Sequence, residues 1–226
     1  MPQTKTALIV GASRGIGLGL VKTLRDQGWS VIATVRSENP EGPHTLPGVE
    51  VHPLDITNQF AVKSFAEQMH NQPLDLLFVC AGIAGPQHQS ASNADDHEIL
   101  DVFQTNAIAP LSVAQQLSGN LKEGAVLAFM SSVMGSVEGN QSGGMELYRA
   151  SKAALNSMIR SYAARLSNRK IAVLALHPGW VRTAMGGEQA PVSVSESAEG
   201  LVAQIEKRQG SAQQGFFDYL GESIAW

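Results

Sequence analysis

One cysteine, Cys80, stands in a chain of 226 residues, so no internal disulfide can form. Charged residues are sparse at 16% and aromatic ones at 6%, and the six histidines never fall at a metal-ligand spacing, so no metal site is expected. Positive charge is not in excess: 16 Lys and Arg face 20 Asp and Glu, a net charge of -4 that offers no field to a polyanion, and nucleic acid is not an expected partner. No window approaches the roughly 20 consecutive apolar residues that cross a bilayer. The start MPQTKTALIV also lacks a charged leader followed by a long apolar stretch and a small-residue cleavage site. A soluble protein of a reducing cytoplasm, with no membrane partner, is the expectation. What the chain does have is apolar residues (43%) and 22 glycines, enough for one sizeable core, so residues 1–226 are expected to form a single domain.

Strand-length apolar runs recur at Thr6 to Val10, Ser30 to Val35, Val49 to Leu54, Leu74 to Cys80, Ala125 to Met130 and Ile171 to Leu176, with a short closing strand around Phe216 to Tyr219. Being apolar throughout, they read as strands buried on both faces. Helical spacing separates them: Leu20, Val21 and Leu24 before Gly28; Val62, Phe65, Ala66 and Met69 before Pro73; Leu111, Ala114 and Leu117 after Pro110; and Ala154 through Leu166. Ser193 and Glu196 match a capping box that opens a helix through Leu201, Val202 and Ile205. Parallel neighbours need a crossover long enough to hold a helix, so this alternation predicts an α/β fold: a doubly wound parallel sheet of Rossmann type with helices on both faces. Gly, Pro, Ser and Asn gather at Ser37 to Gly48, Ala84 to Ala94, Gly135 to Glu146 and Gly186 to Ser193, which read as loops.

Directly after the first strand comes Gly11-Ala12-Ser13-Arg14-Gly15-Ile16-Gly17, then a helical pattern. A helix N-terminus carries unpaired N–H groups and a partial positive charge, so glycines that admit a pyrophosphate to the backbone make an anion site. Gly11 allows the turn, Gly15 the close approach and Gly17 tight helix packing. This G-x-x-x-G-x-G spacing resembles the short-chain dehydrogenase/reductase family. Further landmarks follow in the family's order from Thr6 to Phe217: Cys80-Ala81-Gly82, Asn106, Ser132, Tyr148-Arg149-Ala150-Ser151-Lys152 and Pro178-Gly179. The stretch from Gly215 to Trp226 and the short Gly186 to Ser193 segment resemble its C-factor and sniffer-like carbonyl reductase branch.

The resemblance implies a nicotinamide dinucleotide held by Gly11, Ser13, Arg14, Gly15, Ile16 and Gly17, by Ala81 and Gly82, and by Pro178, Gly179, Val181 and Thr183. At the end of the second strand, Val35 occupies the family's acidic position and Arg36 follows. A carboxylate there would accept from a free 2'-hydroxyl, whereas Arg holds a 2'-phosphate. NADP(H) is therefore expected in preference to NAD(H), with Arg14 as a second cation. Asp55 resembles an adenine-contacting residue of the family, and is read alternatively as a cap near Thr57.

Tyr148 and Lys152, four apart, share one helix face. A nearby ammonium is expected to lower the pKa of a phenol and fit it for proton transfer near neutral pH. In reduction Tyr148 gives a proton to the carbonyl oxygen and Ser132 hydrogen-bonds the same oxygen. Ser131 is the rival for that place, and Ser132 is preferred because Val133-Met134-Gly135 follows it. The resemblance further implies that Lys152 grips the nicotinamide ribose and that Asn106 supports a water chain to solvent. Three departures stand out: Val10 where Thr is common, Cys80 where Asn is common, and a longer Ser132 to Tyr148 segment. Ile83, Met134, Met145, Trp180 and Met185 are candidate apolar walls, Trp180 being read either as wall or as core.

The leading expectation is an NADP(H)-dependent oxidoreductase reducing a small ketone or aldehyde. A dinucleotide-binding signalling protein of C-factor type with incidental turnover is the alternative. A sugar-nucleotide epimerase is disfavoured, since no extra substrate domain follows Thr183. By resemblance the helices containing Pro110 to Leu121 and Ser151 to Leu166 form interfaces of a homodimer or homotetramer.

Overall fold

Strands that are apolar on both faces must be covered from both sides, and the computed structural model, which describes residues 4–37, 39–166 and 168–226, shows how this is done. Residues 1–3, at the start of the MPQTKTALIV segment, and residue 38 of the loop at 37–48 lie outside the described residues. The strands are β1 (Thr6–Val10), β2 (Ser30–Val35), β3 (Val49–Pro53), β4 (Leu74–Val79), β5 (Leu121–Met130), β6 (Ala172–His177) and β7 (Gln214–Asp218). They form one sheet in the order β3-β2-β1-β4-β5-β6-β7, every neighbouring pair parallel. The intervening helices are α1 (Gly15–Asp26), α2 (Gln59–Gln68), α3 (Asp96–Phe103), α4 (Ala109–Leu117), α5 (Glu146–Arg165) and α6 (Val194–Arg208). This is the doubly wound Rossmann arrangement that the alternation of patterns predicts.

Successive strand residues point to opposite faces, and the two halves of the core divide accordingly. Leu8, Val10, Leu77, Val79, Leu127 and Phe129 pack with Val62, Phe65, Val113, Leu117, Leu155 and Ile159 of α2, α4 and α5. Ala7, Ile9, Leu76, Phe78, Val126 and Ala128 pack with Leu20, Val21, Leu24, Leu201, Val202 and Ile205 of α1 and α6. Because all strands run one way, the loops after β1, β2, β4, β5 and β6 leave from a single edge.

Three details differ from the sequence reading. β5 begins at Leu121, four residues before the apolar run, because Gly124 (φ +80°) shifts the register between Leu74 and Leu76 of β4 and lets Leu121 pair as well. α3 opens on a complete capping box, Asp95 with Glu98, a signal of the same spacing as Ser193 with Glu196, which also forms. Between α3 and α4 lies a π-helical turn, Gln104–Ile108, which no periodicity announces.

Past β7 the chain doubles back: the Ile224 amide donates to the Phe216 carbonyl (2.8 Å), and the rings of Phe216 and Trp226 lie 5.6 Å apart under the Arg160 guanidinium, which sits 5.3 Å from the Trp226 centroid. This return covers part of an edge strand that would otherwise offer unpaired backbone groups. Phe216→Ala is expected to lower stability by about 3–5 kcal/mol, read from the midpoint of chemical denaturation.

Candidate active site

Five loops meet at the carboxyl edge of the sheet, and the order β2-β1-β4 puts the crevice where strand order reverses beside β1. There the turn between β1 and α1 is pressed against the loop after β4. Gly11 has φ +89°, and a Cβ on it would lie 2.7 Å from the Ala81 amide nitrogen. A Cβ on Gly17 would run into the carbonyl oxygen of Gly11. Neither position admits a side chain; the Gly11 and Ala12 amides are spent on the Thr34 carbonyl (3.2 and 2.8 Å), and it is the amides of residues 13–17 that have no backbone acceptor among the described residues. Gly15 takes φ +56°, and the methyl of Thr183 would be 3.5 Å from a Cβ there. Arg14 is exposed at the N-cap of α1, makes no capping bond, and the first turn holds no acidic residue, so the positive end of the helix is not neutralised by the protein's own side chains. Ile16 leans on the core beneath, and the Ser13 carbonyl accepts from the side-chain amide of Asn39 (2.8 Å), which folds the loop after β2 onto the turn.

Arg36 is exposed at the end of β2, close enough to Asp55 to act on its charge. Asp55 accepts from the Thr57 amide (2.9 Å) and hydroxyl (2.7 Å). The Thr57 hydroxyl does most to hold the Asp55 carboxyl below its ordinary pKa; burial opposes this, and the Thr57 amide and the Arg36 charge assist. The turn at Thr57 is thus real, although the cap of α2 is Asn58, which accepts from the Ala61 amide.

The second half of the site comes from β4, β5 and α5. A Cβ on Gly82 would lie 3.2 Å from Asn106 Oδ1 and 3.4 Å from Lys152 Nζ, so these three residues meet. Asn106, wholly buried on the π-helical turn, accepts from the Ile83 amide (2.8 Å) and donates to the Ile83 carbonyl (2.9 Å) and Ser151 Oγ (3.0 Å). Lys152 is 3% exposed; its ammonium donates to the Met130 carbonyl at the end of β5 (3.0 Å) and lies 5.8 Å from the centre of the Tyr148 ring. Burial pulls the Lys152 ammonium down to about 8, with Cys80 opposing. Burial likewise pushes the Cys80 thiol up to about 12, so the thiol stays protonated and no thiolate chemistry attaches to it.

The Tyr148 phenol does not follow the sequence expectation. Its pKa is raised, because burial outweighs the Ser132 hydroxyl beside it. The Lys152 ammonium sits over the ring rather than against the hydroxyl and does not bring the value down. Ser132 accepts from the Met134 amide (3.2 Å) and is the serine next to the phenol, whereas Ser131 donates to Asn156 Oδ1 (2.6 Å) and is spent on the underside of α5. Asn156 also donates to the Gly135 carbonyl (3.2 Å), a link across 21 residues that nothing in the sequence signals.

After β6 the chain arches back toward the glycine turn. The Pro178 carbonyl accepts from Ser197 Oγ (2.7 Å), and Gly179 (φ +85°) has no room for a Cβ, which would meet the Tyr219 ring at 2.9 Å. Val181 is buried and bridges to Val192; Thr183 Oγ1 accepts from the Gly186 amide (3.0 Å). Trp180 is 57% exposed, its indole N–H donating to the Gly186 carbonyl (2.8 Å), so it belongs to a rim and not to the core. Met145 and Met185 are exposed as well, Ile83 and Met134 half-buried, and Val133 and Val137 add exposed apolar surface that the sequence reading omits.

The sequence profile described as short chain dehydrogenase matches residues 5–192. The chain belongs to the short chain dehydrogenase family. It is an oxidoreductase of that family, and its relatives include the C-signal of Myxococcus xanthus, 34% identical over 167 residues, which covers 73% of this chain and 100% of the relative. A carbonyl reductase from Pseudomonas aeruginosa PAO1 in complex with NADP superposes with a TM-score of 0.91 at 41% identity over 99% of this chain and 100% of that one. The carbonyl reductase Sniffer of D. melanogaster superposes with a TM-score of 0.87 at 33% identity, again over 99% and 100% of the two chains.

His177, just before Pro178, has an Nδ1 atom without a hydrogen-bond partner among the described residues, and burial pulls its pKa down to about 4, with Asp218 opposing. The unfolded chain therefore binds a proton that the fold refuses, so stability falls as pH drops from about 6.5 toward 4. The loss from this group is expected to be on the order of 3 kcal/mol at its limit. Denaturation midpoints measured across that range should fall less steeply in His177→Asn.

Proposed function

We propose that this oxidoreductase reduces a small ketone or aldehyde to an alcohol using NADP(H), with Tyr148 as the proton donor. The observation that carries the reading is the assembly of buried Ser132 and Lys152 with half-buried Tyr148, beside a glycine turn that has no room for a Cβ at Gly11 or Gly17. The donor set suits the cofactor: uncapped amides and an unneutralised helix end suit a pyrophosphate, and exposed Arg14 and Arg36, with no carboxylate at Val35, suit a 2'-phosphate. The NADP-bound P. aeruginosa structure supports the same choice.

Backbone amides at residues 13–17, on a turn shaped by Gly11, would hold the diphosphate, and Pro178 to Thr183 with Ala81 and Gly82 would flank the nicotinamide end. Bound there, the reduced cofactor supplies the hydride. Tyr148, kept protonated by its burial, gives its phenolic proton to the carbonyl oxygen as charge develops on it. The Ser132 hydroxyl donates to the same oxygen and fixes its place. Lys152 supplies an ammonium whose pKa of about 8 leaves it mostly charged at neutral pH, and Asn106 holds the loop of Gly82 and Ile83 against it. With its pKa raised, the phenol stands in its protonated form at neutral pH, the form that reduction requires. The exposed apolar rim of Met145, Trp180 and Met185 suits a substrate with an apolar body.

The similarity to the M. xanthus C-signal favours a second reading, a dinucleotide-binding signalling protein whose turnover is incidental. Loss of phenolic proton transfer in Tyr148→Phe separates the two: carbonyl-dependent NADPH oxidation is expected to fall at least about 100-fold, and unchanged activity overturns the reductase reading. A cytoplasmic homodimer or homotetramer built through α4 and α5 is part of the same proposal, checked by sedimentation. For the cofactor, titration should give a lower Kd for NADPH than for NADH; Arg36→Ala is expected to weaken NADPH about tenfold or more and to leave NADH within a factor of about two.

A further inference from the structure

Helix α5 carries both Tyr148 and Lys152, yet it begins without a cap of its own. Gly143, Gly144 and Met145 are all left-handed, with φ of +65°, +68° and +52°, and Met145 at the N-cap position makes no side-chain capping bond. A helix start leaves several amides unpaired, and burying one without a partner is unfavourable. The missing acceptors come from residue 89, on the loop after β4. The Gln89 side-chain oxygen accepts from the Tyr148 amide (3.1 Å), and its backbone carbonyl accepts from the Leu147 amide (3.3 Å). The same side chain's nitrogen donates to the carbonyls of Ala84 and Pro86, both at 2.7 Å, so all its polar atoms are engaged while the residue is only 7% exposed. Two residues further on, the Ala91 amide donates to the Glu146 carboxylate in the first turn of α5 (2.8 Å).

Gln89 holds φ +57°, a region that Gly or Asn occupies at lower cost. Only a side chain as long as Gln spans from the Tyr148 amide to the Ala84 and Pro86 carbonyls, and the conformational cost is accepted for that reach. The loop so gripped is the continuation of Gly82 and Ile83, which Asn106 clamps through two hydrogen bonds. A chain of hydrogen bonds thus runs from Asn106 through this loop to the backbone nitrogen of the residue that bears the phenol.

We propose that Gln89 is a positioning residue for the reduction: it caps α5 from outside the helix and fixes the height of Tyr148 above the loop of Gly82. It touches neither substrate nor cofactor and acts through Tyr148, so the inference rests on the reading of Tyr148 as proton donor.

Gln89→Met keeps the bulk and removes all three side-chain hydrogen bonds; Gln89→Glu, assayed at the acidic end of the activity range where its buried carboxyl is protonated, keeps an acceptor for the Tyr148 amide and a donor to one of the two carbonyls. With a carbonyl compound that the wild type reduces, Gln89→Met is expected to lower kcat about 10- to 100-fold. The Kd for NADPH and the KM for the carbonyl compound should stay within about twofold, because the glycine turn and the rim are untouched. Gln89→Glu should recover kcat several-fold relative to Gln89→Met. A kcat for Gln89→Met equal to wild type overturns the inference, as does a loss that Glu fails to relieve or one matched by an equal loss of NADPH binding. Should Gln89→Met not fold, Gln89→Asn, whose shorter arm withdraws the acceptor, is compared with Gln89→Glu in its place. Tyr148→Phe is run in parallel. If it is inactive while the Gln89 variants are normal, the positioning role alone fails; if it is fully active, the reductase reading fails and the positioning role with it.

Discussion

An ammonium removed from water and given one neutral partner is the constraint around which the carboxyl edge of this sheet is arranged. Lys152 Nζ finds only the Met130 carbonyl within hydrogen-bonding distance among the described residues, and such a charge is held in place by packing rather than by pairing. The packing comes from α5, whose Leu155, Ile159, Tyr162 and Ala163 are locked into the core on the face opposite α1 and α6. Two glycines answer to the same side chain: a Cβ on Gly82 would crowd Nζ at 3.4 Å, and one on Gly135 would press on the Lys152 Cβ at 2.9 Å. The turns after β4 and β5 therefore close over Lys152 only because neither bears a side chain at that point.

Dryness acts on Tyr148 in the opposite sense from the one that charge pairing alone would suggest. If the ammonium were set against the phenol oxygen, it would favour phenolate; set over the ring and itself weakened by burial, it does not. Both side chains are pushed toward their neutral forms by the same loss of water. Four-residue spacing on a helix fixes that two groups share a face, but the distance between their functional atoms depends on how each side chain is turned by its neighbours. Here Met130 draws the ammonium toward β5 and Ser132 stands beside the phenol, so the hydroxyl group, and not the lysine, is what opposes the burial.

Much of this was legible in advance because local chemistry and tertiary structure agree. β1 and β2 fall where their apolar runs do, and the capping box at Ser193 forms, since each pattern encodes a burial or a hydrogen bond completed within a few residues. Gly11 and Gly17 were readable because a glycine between a strand and a helix has few other uses. What escaped is what long-range contact creates. Gln89 lies 59 residues from the amide it caps, Asn156 lies 25 from Ser131 and 21 from Gly135, and Leu121 joins β5 only because Gly124 bends the strand. None of these residues has a side chain whose type alone demands its partner. Of the two readings left open at Asp55, its hydrogen bonds form the Thr57 turn, and the Arg36 charge acts on the same carboxylate from beyond ion-pair distance.

That last pair bears on how an acidic protein would come to hold a phosphorylated cofactor. The chain's net charge of -4 says nothing about the crevice, because fields at a site are set by the nearest charges once ions screen the rest beyond about 10 Å. Around the end of β2 stand Arg36 and, from the glycine turn, Arg14, against one ionised carboxylate at Asp55. Two positive charges less one leave a surplus of one, to which the N-terminus of α1 adds roughly half a charge. The absence of a carboxylate at Val35 then matters twice over, since an acid there would both repel a 2'-phosphate and compete for Arg36.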